Sequence, residues 1–192
     1  VVPGGVAVDP TPAMRDRLRA QCDAVEREVR VLRRIYDEHA GLQDRFAGAG
    51  QVTPELAARL GLTGLAGRAS GQAADLRCDF SWPPYDGLKV GIATHHDGDV
   101  AARVAVRFDE AFESLRLIRA ICAGLPDGAA RVEVQHRTSA SLGAGRVEGW
   151  RGEVFVALEI SDDGRIVRCH CHDPSWQNWP VLEHAIIGNI VP

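Results

Sequence analysis

Residues able to do chemistry fall in four places along this 192-residue chain. The densest is Cys169-His170-Cys171-His172, thiols and imidazoles of the kind that hold zinc. Read as a strand, the run puts both cysteines on one face and both histidines on the other, so one ion does not easily take all four. Two readings stay open: Cys169 and Cys171 as a metal pair, or as small side chains buried beneath a β-hairpin. His95-His96-Asp97 offers a second pair of ligands, with no third partner at standard spacing. The third place is Gly61-Leu-Thr-Gly-Leu-Ala-Gly-Arg-Ala-Ser-Gly71. Four glycines around Arg68 predict a loop rather than core, exposing backbone N–H groups and one fixed cation to an anion or to a carboxylate from another helix. The lysine of a phosphate loop is missing. Asp75-Leu76-Arg77 follows it. The fourth place is a charged flank in which Arg103, Arg107 and Arg116 lie among Asp109, Glu110 and Glu113.

That flank belongs to Val100–Ala123, the stretch on which the chain is centred. Ala101, Val104, Phe108, Ala111, Leu115, Ile118 and Cys122 recur at alternating steps of three and four, a heptad seam on one helix face. Asp99 caps its start, and Gly124 with Pro126 stops it through a left-handed glycine turn. A second seam, Leu18, Cys22, Val25, Val29, Leu32, Tyr36 and His39, predicts a helix from Pro12 to His39 with Thr11 as its cap. Two long seams predict helices packed side by side near 20°. A short helix opens at Thr53-Pro54 and closes at Gly61. Trp82-Pro83-Pro84-Tyr85 reads as rigid and irregular, Lys89–Thr94 as a short strand, Val132–His136 as another, and Ser139–Gly145 as small and flexible. Alternation from Val154 to Ile160, a turn at Ser161–Gly164 and a return over Ile166–His172 predict a β-hairpin. A last short helix runs from Trp176 to Ile187 and ends at Gly188. The fold class expected is mainly α with a small β-region, a long-helix bundle plus a β-hairpin (α+β). Residues 1–126 form the bundle part, 127–173 the β-region and 174–192 the C-terminal helix.

Composition narrows the function classes. A formal net charge of -4 leaves no nucleic-acid footprint. No apolar run approaches the roughly 18 residues of a spanning helix, so any membrane association is expected through partners. Five scattered cysteines predict a reducing compartment rather than a secreted disulfide framework. The chain opens Val-Val-Pro-Gly-Gly without Met and is expected to be part of a longer subunit.

Several separated stretches match one pattern in order. Pro3-Gly4-Gly5-Val6 with Asp9 resembles a P-G-G-V loop. Gly61-x-Thr63-Gly64 with Arg68-Ala69-Ser70-Gly71, then Asp75-x-Arg77, resembles a G-x-T-G-x-x-x-R-A-S-G loop and its sequel. Arg107, Glu110, Ser114, Leu115, Arg116 and Ile118 resemble R-x-x-E-x-x-x-S-L-R-x-I. Val147-Glu148-Gly149-Trp150-Arg151-Gly152-Glu153 is similar to V-E-A-P-R-G-E, and Pro174-Ser175-Trp176-x-Asn178 to P-S-F-x-N, with Gly188 and Ile190 behind it. The set resembles the large subunit shared by respiratory complex I and the nickel–iron hydrogenases. Trp150 in place of Ala-Pro and the Cys-His-Cys-His run lean toward the hydrogenase-4 or formate-hydrogenlyase-like branch.

The resemblance implies a subunit of an energy-converting, membrane-associated oxidoreductase, an NADH:quinone oxidoreductase or a hydrogenase. It implies docking on a small iron–sulfur subunit within a larger complex, on the cytoplasmic, inner face of the cell membrane, with no span of its own. The active cavity, for quinone or for nickel and iron, would lie between the two subunits. NADH would bind elsewhere in the complex. The two Cys-x-x-Cys motifs that hold the hydrogenase metal do not occur in residues 1–192. This chain is therefore expected to bind no cofactor itself, and alone to be inactive. Arg151, Glu148 and Arg68 are the cavity-lining candidates for catalysis. Asp75, Arg77, Arg107, Glu110 and Glu153 complete a charged lining of guanidinium–carboxylate pairs, which tolerate burial better than lone charges. The alternatives are a non-catalytic scaffold that has lost its metal ligands, and a zinc module at Cys169 and Cys171.

Overall fold

The computed structural model describes residues 2–126, 128–134 and 139–189. Thr11 accepts the N–H of Met14 at 3.3 Å and starts α1, Pro12–Glu38, with proline at the position that needs no N–H. His39 then caps α2, Ala40–Phe46, its Nδ1 accepting from Leu42 at 3.2 Å. Thr53 caps α3, Pro54–Leu60, which ends at Gly61 with φ +66°. Two short helices follow, α4 over Gly64–Ala69 and α5 over Leu76–Asp79. The long α6, Val100–Gly124, begins at Asp99, whose carboxylate accepts from Ala102 and from Gly48, each at 2.7 Å. A three-stranded antiparallel sheet follows in chain order, β1 Ser141–Gly149, β2 Gly152–Ile160 and β3 Ile166–His172. The last helix is α7, Ser175–Ala185. This is the α+β arrangement expected, with β1 added to the expected hairpin as a third strand.

The two long helices lie side by side, and the faces in contact match the seams in part: Cys22, Val29 and Tyr36 of the α1 seam are covered and its leucines are not. On α1 the side chains turned to α6 are Arg15, Arg19, Cys22, Glu26, Val29, Arg33 and Tyr36, the same heptad steps shifted round the helix. Arg15 and Arg19 donate to the last carbonyls of α6, at Leu125 (3.4 Å) and Cys122 (3.1 Å). Glu26 meets Arg119 at 2.6 Å, Arg33 meets Asp109 at 2.7 Å, and Tyr36 stacks near Phe108. Leu18, Val25, Leu32 and Ile35 are left exposed, Leu32 by 57%. On α6, Leu115 and Cys122 are buried as the seam predicts, whereas Ile118 is exposed and Ala102, Val106 and Leu117 are buried off it. The reason is that α1 covers one side of α6 and α4 another. The end of α6 also differs. Gly124 is helical, and Leu125 leaves at φ -64°, ψ 118°, the extended state that a following proline imposes.

Four other expectations are corrected. Gly64–Ala69 is a buried helix, not an open loop, because its glycines allow backbone contact that any Cβ would block. Lys89–Thr94 forms no strand. Its backbone is held instead by side chains, with Arg116 donating to the Lys89 carbonyl at 2.6 Å and Glu113 accepting from Gly91 at 2.7 Å. Residues 132–134 also form no strand, although Arg131 bridges Gly5 and Val132 donates to the Gly4 carbonyl. His136 and Ile190 lie outside the described residues. The stretch expected to be flexible enters β1, paired along its length with β2.

Two apolar clusters hold these parts together. Val52, Ala57, Leu62, Val181 and Ala185 join α3 to α7, so the C-terminal helix shares a core with the helical part. Leu65, Ala69, Ala102 and Val106 join α4 to α6. The second cluster seats Arg68.

Candidate functional site

Arg68 leaves the last turn of α4 and is 2% exposed. A bare guanidinium in that position is untenable, so three carboxylates meet it. Its Nε donates to Glu110 Oε1 of α6 at 2.5 Å. Its Nη1 donates to Glu148 Oε1 of β1 at 2.9 Å and lies 3.7 Å from Asp75 Oδ2. The Ala74 carbonyl takes a further N–H at 3.1 Å. Asp75 is also gripped by the fork of Arg77, Nε to Oδ1 at 2.9 Å and Nη2 to Oδ2 at 2.6 Å, and caps α5 through the Arg77 N–H. Glu148 takes the N–H of Leu76 at 3.2 Å on its second oxygen. Four separate segments are thus tied at one guanidinium.

Glycines make the approach possible. Gly64 has φ +60°, and a Cβ there would sit 2.1 Å from the Arg151 carbonyl oxygen. The β1–β2 turn, Trp150-Arg151 between Gly149 and Gly152, therefore presses directly on the start of α4. That contact brings Glu148 down to Arg68.

The cluster opens on a cleft of about 370 Å³, walled by Arg68, Arg77, Arg107, Glu110, Glu148 and Trp150. Burial pushes the Glu110 carboxyl above its ordinary value, against the pull of Arg68. Burial acts upward on Asp75 too, but there the Arg77 fork and N–H outweigh it and hold the carboxyl low. The same pairing raises Arg77 further above its already high value.

The expected charged lining is met in part. Arg68, Asp75, Arg77, Glu110 and Glu148 come together. Arg107 does not form the expected ion pair; it is exposed and stacks over Trp150, its Cζ 4.7 Å from the ring centre. Glu153 makes no ion pair among the described residues and stands opposite Glu148 in the β1–β2 register, a like-charge neighbour. Arg151 does not line the cleft; its Cζ lies 5.9 Å from the centre of the Trp150 ring, and it lines a separate depression with Asp173, Asn178 and Trp179. Its carbonyl, not its guanidinium, is tied down, by Asn178 at 3.3 Å. Arg103 was read only as part of a charged flank. It donates to the carbonyls of Gly50 and Gly98 and lines an apolar cavity of about 510 Å³ between α7 and Val52, Leu62 and Ala66. Gly50 and Gly98, with φ of +58° and +65°, were the available signal.

The cysteines Cys169 and Cys171 are exposed, not buried beneath the hairpin, because the face they share is turned away from the helices. Their sulfurs are 3.6 Å apart, while His170 and His172 pack on Trp176 from the other face. His95 lies 3.4 Å from Asp109, which Arg33 also engages. No group of three or more His, Cys, Asp or Glu placed to hold a metal occurs among the described residues.

The model of a family described as the respiratory-chain NADH dehydrogenase 49 kDa subunit matches residues 1–143. The carbon monoxide-induced hydrogenase of Rhodospirillum rubrum is 30% identical over 186 residues, 96% of this chain and 52% of that protein. Formate hydrogenlyase subunit 5 of Escherichia coli K12 is 28% identical over 98% of this chain and 33% of its own length. A chain of the membrane-bound sulfane sulfur reductase, an archaeal respiratory membrane complex, superposes with a TM-score of 0.87 at 26% identity. That superposition covers 97% of this chain and 53% of the other. The chain thus spans between a third and about half of the length of these three relatives.

Proposed function

The chain belongs to the family of the respiratory-chain NADH dehydrogenase 49 kDa subunit, and from that we propose that it serves in a membrane-associated, energy-converting oxidoreductase complex. In this reading it is the part of the large subunit that lines, without ligating, the cavity where quinone or a nickel–iron centre is used. A small iron–sulfur subunit would cover it, on the cytoplasmic face of the membrane. No helix among the described residues is long and apolar enough to cross a membrane, in keeping with attachment through partners. The observation that carries the reading is a five-membered charge cluster built round the buried Arg68 and Asp75, open to a cleft where α4, α6 and the β1–β2 turn meet.

The residues fit a lining role and not a ligating one. Arginine, glutamate and tryptophan wall the cleft, with no thiolate among them. They therefore do not hold nickel or iron, and no step is routed through a metal. Their chemistry is electrostatic. Arg68 and Arg77 fix the walls, and Arg107 presents N–H donors beside the Trp150 ring, suited to a carbonyl or anionic group entering the cleft. The missing thiolate also favours a second reading, a scaffold that keeps the fold without chemistry.

Arg107→Ala in the assembled complex separates the two. The lining reading expects turnover to fall about tenfold or more, about 1.4 kcal/mol in the barrier, with subunit assembly unchanged. Arg151→Ala, outside the cleft, should cost less. Full turnover in Arg107→Ala would favour the scaffold.

A further inference from the structure

We propose that Glu110 is the proton-exchanging group of the cleft, carrying a proton that the other carboxylates of the cluster do not accept. The first ground is charge. The members are two guanidiniums, the buried Arg68 and the half-buried Arg77, and three carboxylates, the fully buried Asp75 and the partly buried Glu110 and Glu148. With all five ionised the cluster holds one surplus negative charge. A buried surplus charge is relieved by binding a proton. Arg107, the remaining cation on the cleft, is exposed and stacked on Trp150, so water screens it.

The second ground is unequal coordination. Asp75 is fully buried and accepts on both oxygens from Arg77. Glu148 accepts on both oxygens, from Arg68 and from the Leu76 N–H. Glu110 accepts only on Oε1, from Arg68. Its Oε2 has no hydrogen-bond partner among the described residues, yet Glu110 lines the cleft and its side chain keeps 15% exposure. Protonating Asp75 or Glu148 would put a hydrogen where a donor already points. Protonating Glu110 on Oε2 breaks no bond. Burial already lifts this carboxyl above its ordinary value. The step is proton transfer alone. An O–H bond forms on Oε2, the proton comes from water or an acid in the cleft, and Arg68 stays paired with Glu148 and Asp75.

That Glu110 holds the proton is independent of what the cleft does; that it passes the proton to a reaction rests on the lining role proposed above. Infrared spectroscopy of the 192-residue chain tests the first part. The C=O stretch of a protonated carboxyl should persist above about pH 5, where ordinary carboxylates, with values near 4, have largely ionised. It should shift in heavy water and vanish in Glu110→Gln, whose amide oxygen still accepts from Arg68. Glu148→Gln removes one negative charge and should make the band disappear at lower pH than in the unchanged chain. Absence of the band above about pH 5, or its survival in folded Glu110→Gln, overturns the assignment. Should Glu110→Gln fail to fold, the Glu148→Gln shift decides; an unshifted band refutes it. In the assembled complex, Glu110→Gln should slow turnover and reduce its solvent isotope effect. Unchanged turnover beside a confirmed band would refute the transfer role and leave the proton site standing.

Discussion

At the scale of single residues, the cluster sets how stability varies with pH. Asp75 has a folded-state value below its ordinary 3.8. Its contribution is complete above that value and is lost as pH falls through the depressed one. Glu110 acts with the opposite sign. Its folded-state value lies above its ordinary 4.5, so the folded chain binds a proton more tightly than the unfolded chain. That contribution is complete below 4.5 and is lost as pH rises through the raised value. Asp75→Asn should therefore flatten the acid limb of a plot of urea midpoint against pH, and Glu110→Gln should flatten the decline just above it. Identical plots for all three proteins would contradict the pairing described. Which charges would meet was legible only in part. Arg68 stood out because it was the single cation among glycines. The failure of Arg107 and Glu153 to pair was not legible, because both depend on Trp150 and on which face of β1 and β2 meets α4.

At the scale of elements, helix starts were plain in the sequence because they are set locally. Thr11-Pro12, Thr53-Pro54 and Asp99 each cap a helix where expected. Packed faces were less plain. A heptad marks the angular spacing of contacts but not which of two neighbouring stripes is covered, and here ion pairs and carbonyl contacts take the stripe beside the leucines. β1 was missed because Gly143, Ala144 and Gly145 carry little strand preference; pairing with β2 imposes the strand. These faces give opposite expectations for two leucines. Leu115, 8% exposed, should cost about 2–5 kcal/mol when changed to alanine. Leu32, 57% exposed, should cost no more than about 0.5 kcal/mol in this chain. Urea unfolding of the two variants gives the comparison. Equal losses would mean that α1 buries the leucine stripe after all.

At the scale of the whole molecule, the ordered set of motifs made the family legible before any geometry, while the surface left uncovered was not. Sequence patterns mark residues that can be buried; only the fold shows which of them are not. On α1 the exposed stripe runs through Met14, Leu18, Val25, Leu32 and Ile35, about six turns of helix. On the sheet, Val147 and Val167 are exposed together with Cys169 and Cys171. On α7 and the turn after it, Trp176, Trp179, Ile186 and Ile187 are exposed. Monomeric soluble proteins rarely leave contiguous apolar patches beyond a few hundred Å², and three such regions on one chain exceed what isolated side chains explain. The chain alone should therefore self-associate, and its apparent mass in light scattering should rise with concentration. Because hydrophobic contact drives it, association should persist in high salt, where an assembly held by surface ion pairs would loosen. Val25→Glu with Leu32→Glu places two charges on the α1 stripe without touching the α6 face, so folding should be intact and association through α1 weakened. Association unchanged by the double variant would move the contact to the sheet or to α7. A chain that stays monomeric at high concentration would show that these faces are compatible with water, against the expectation drawn from their area.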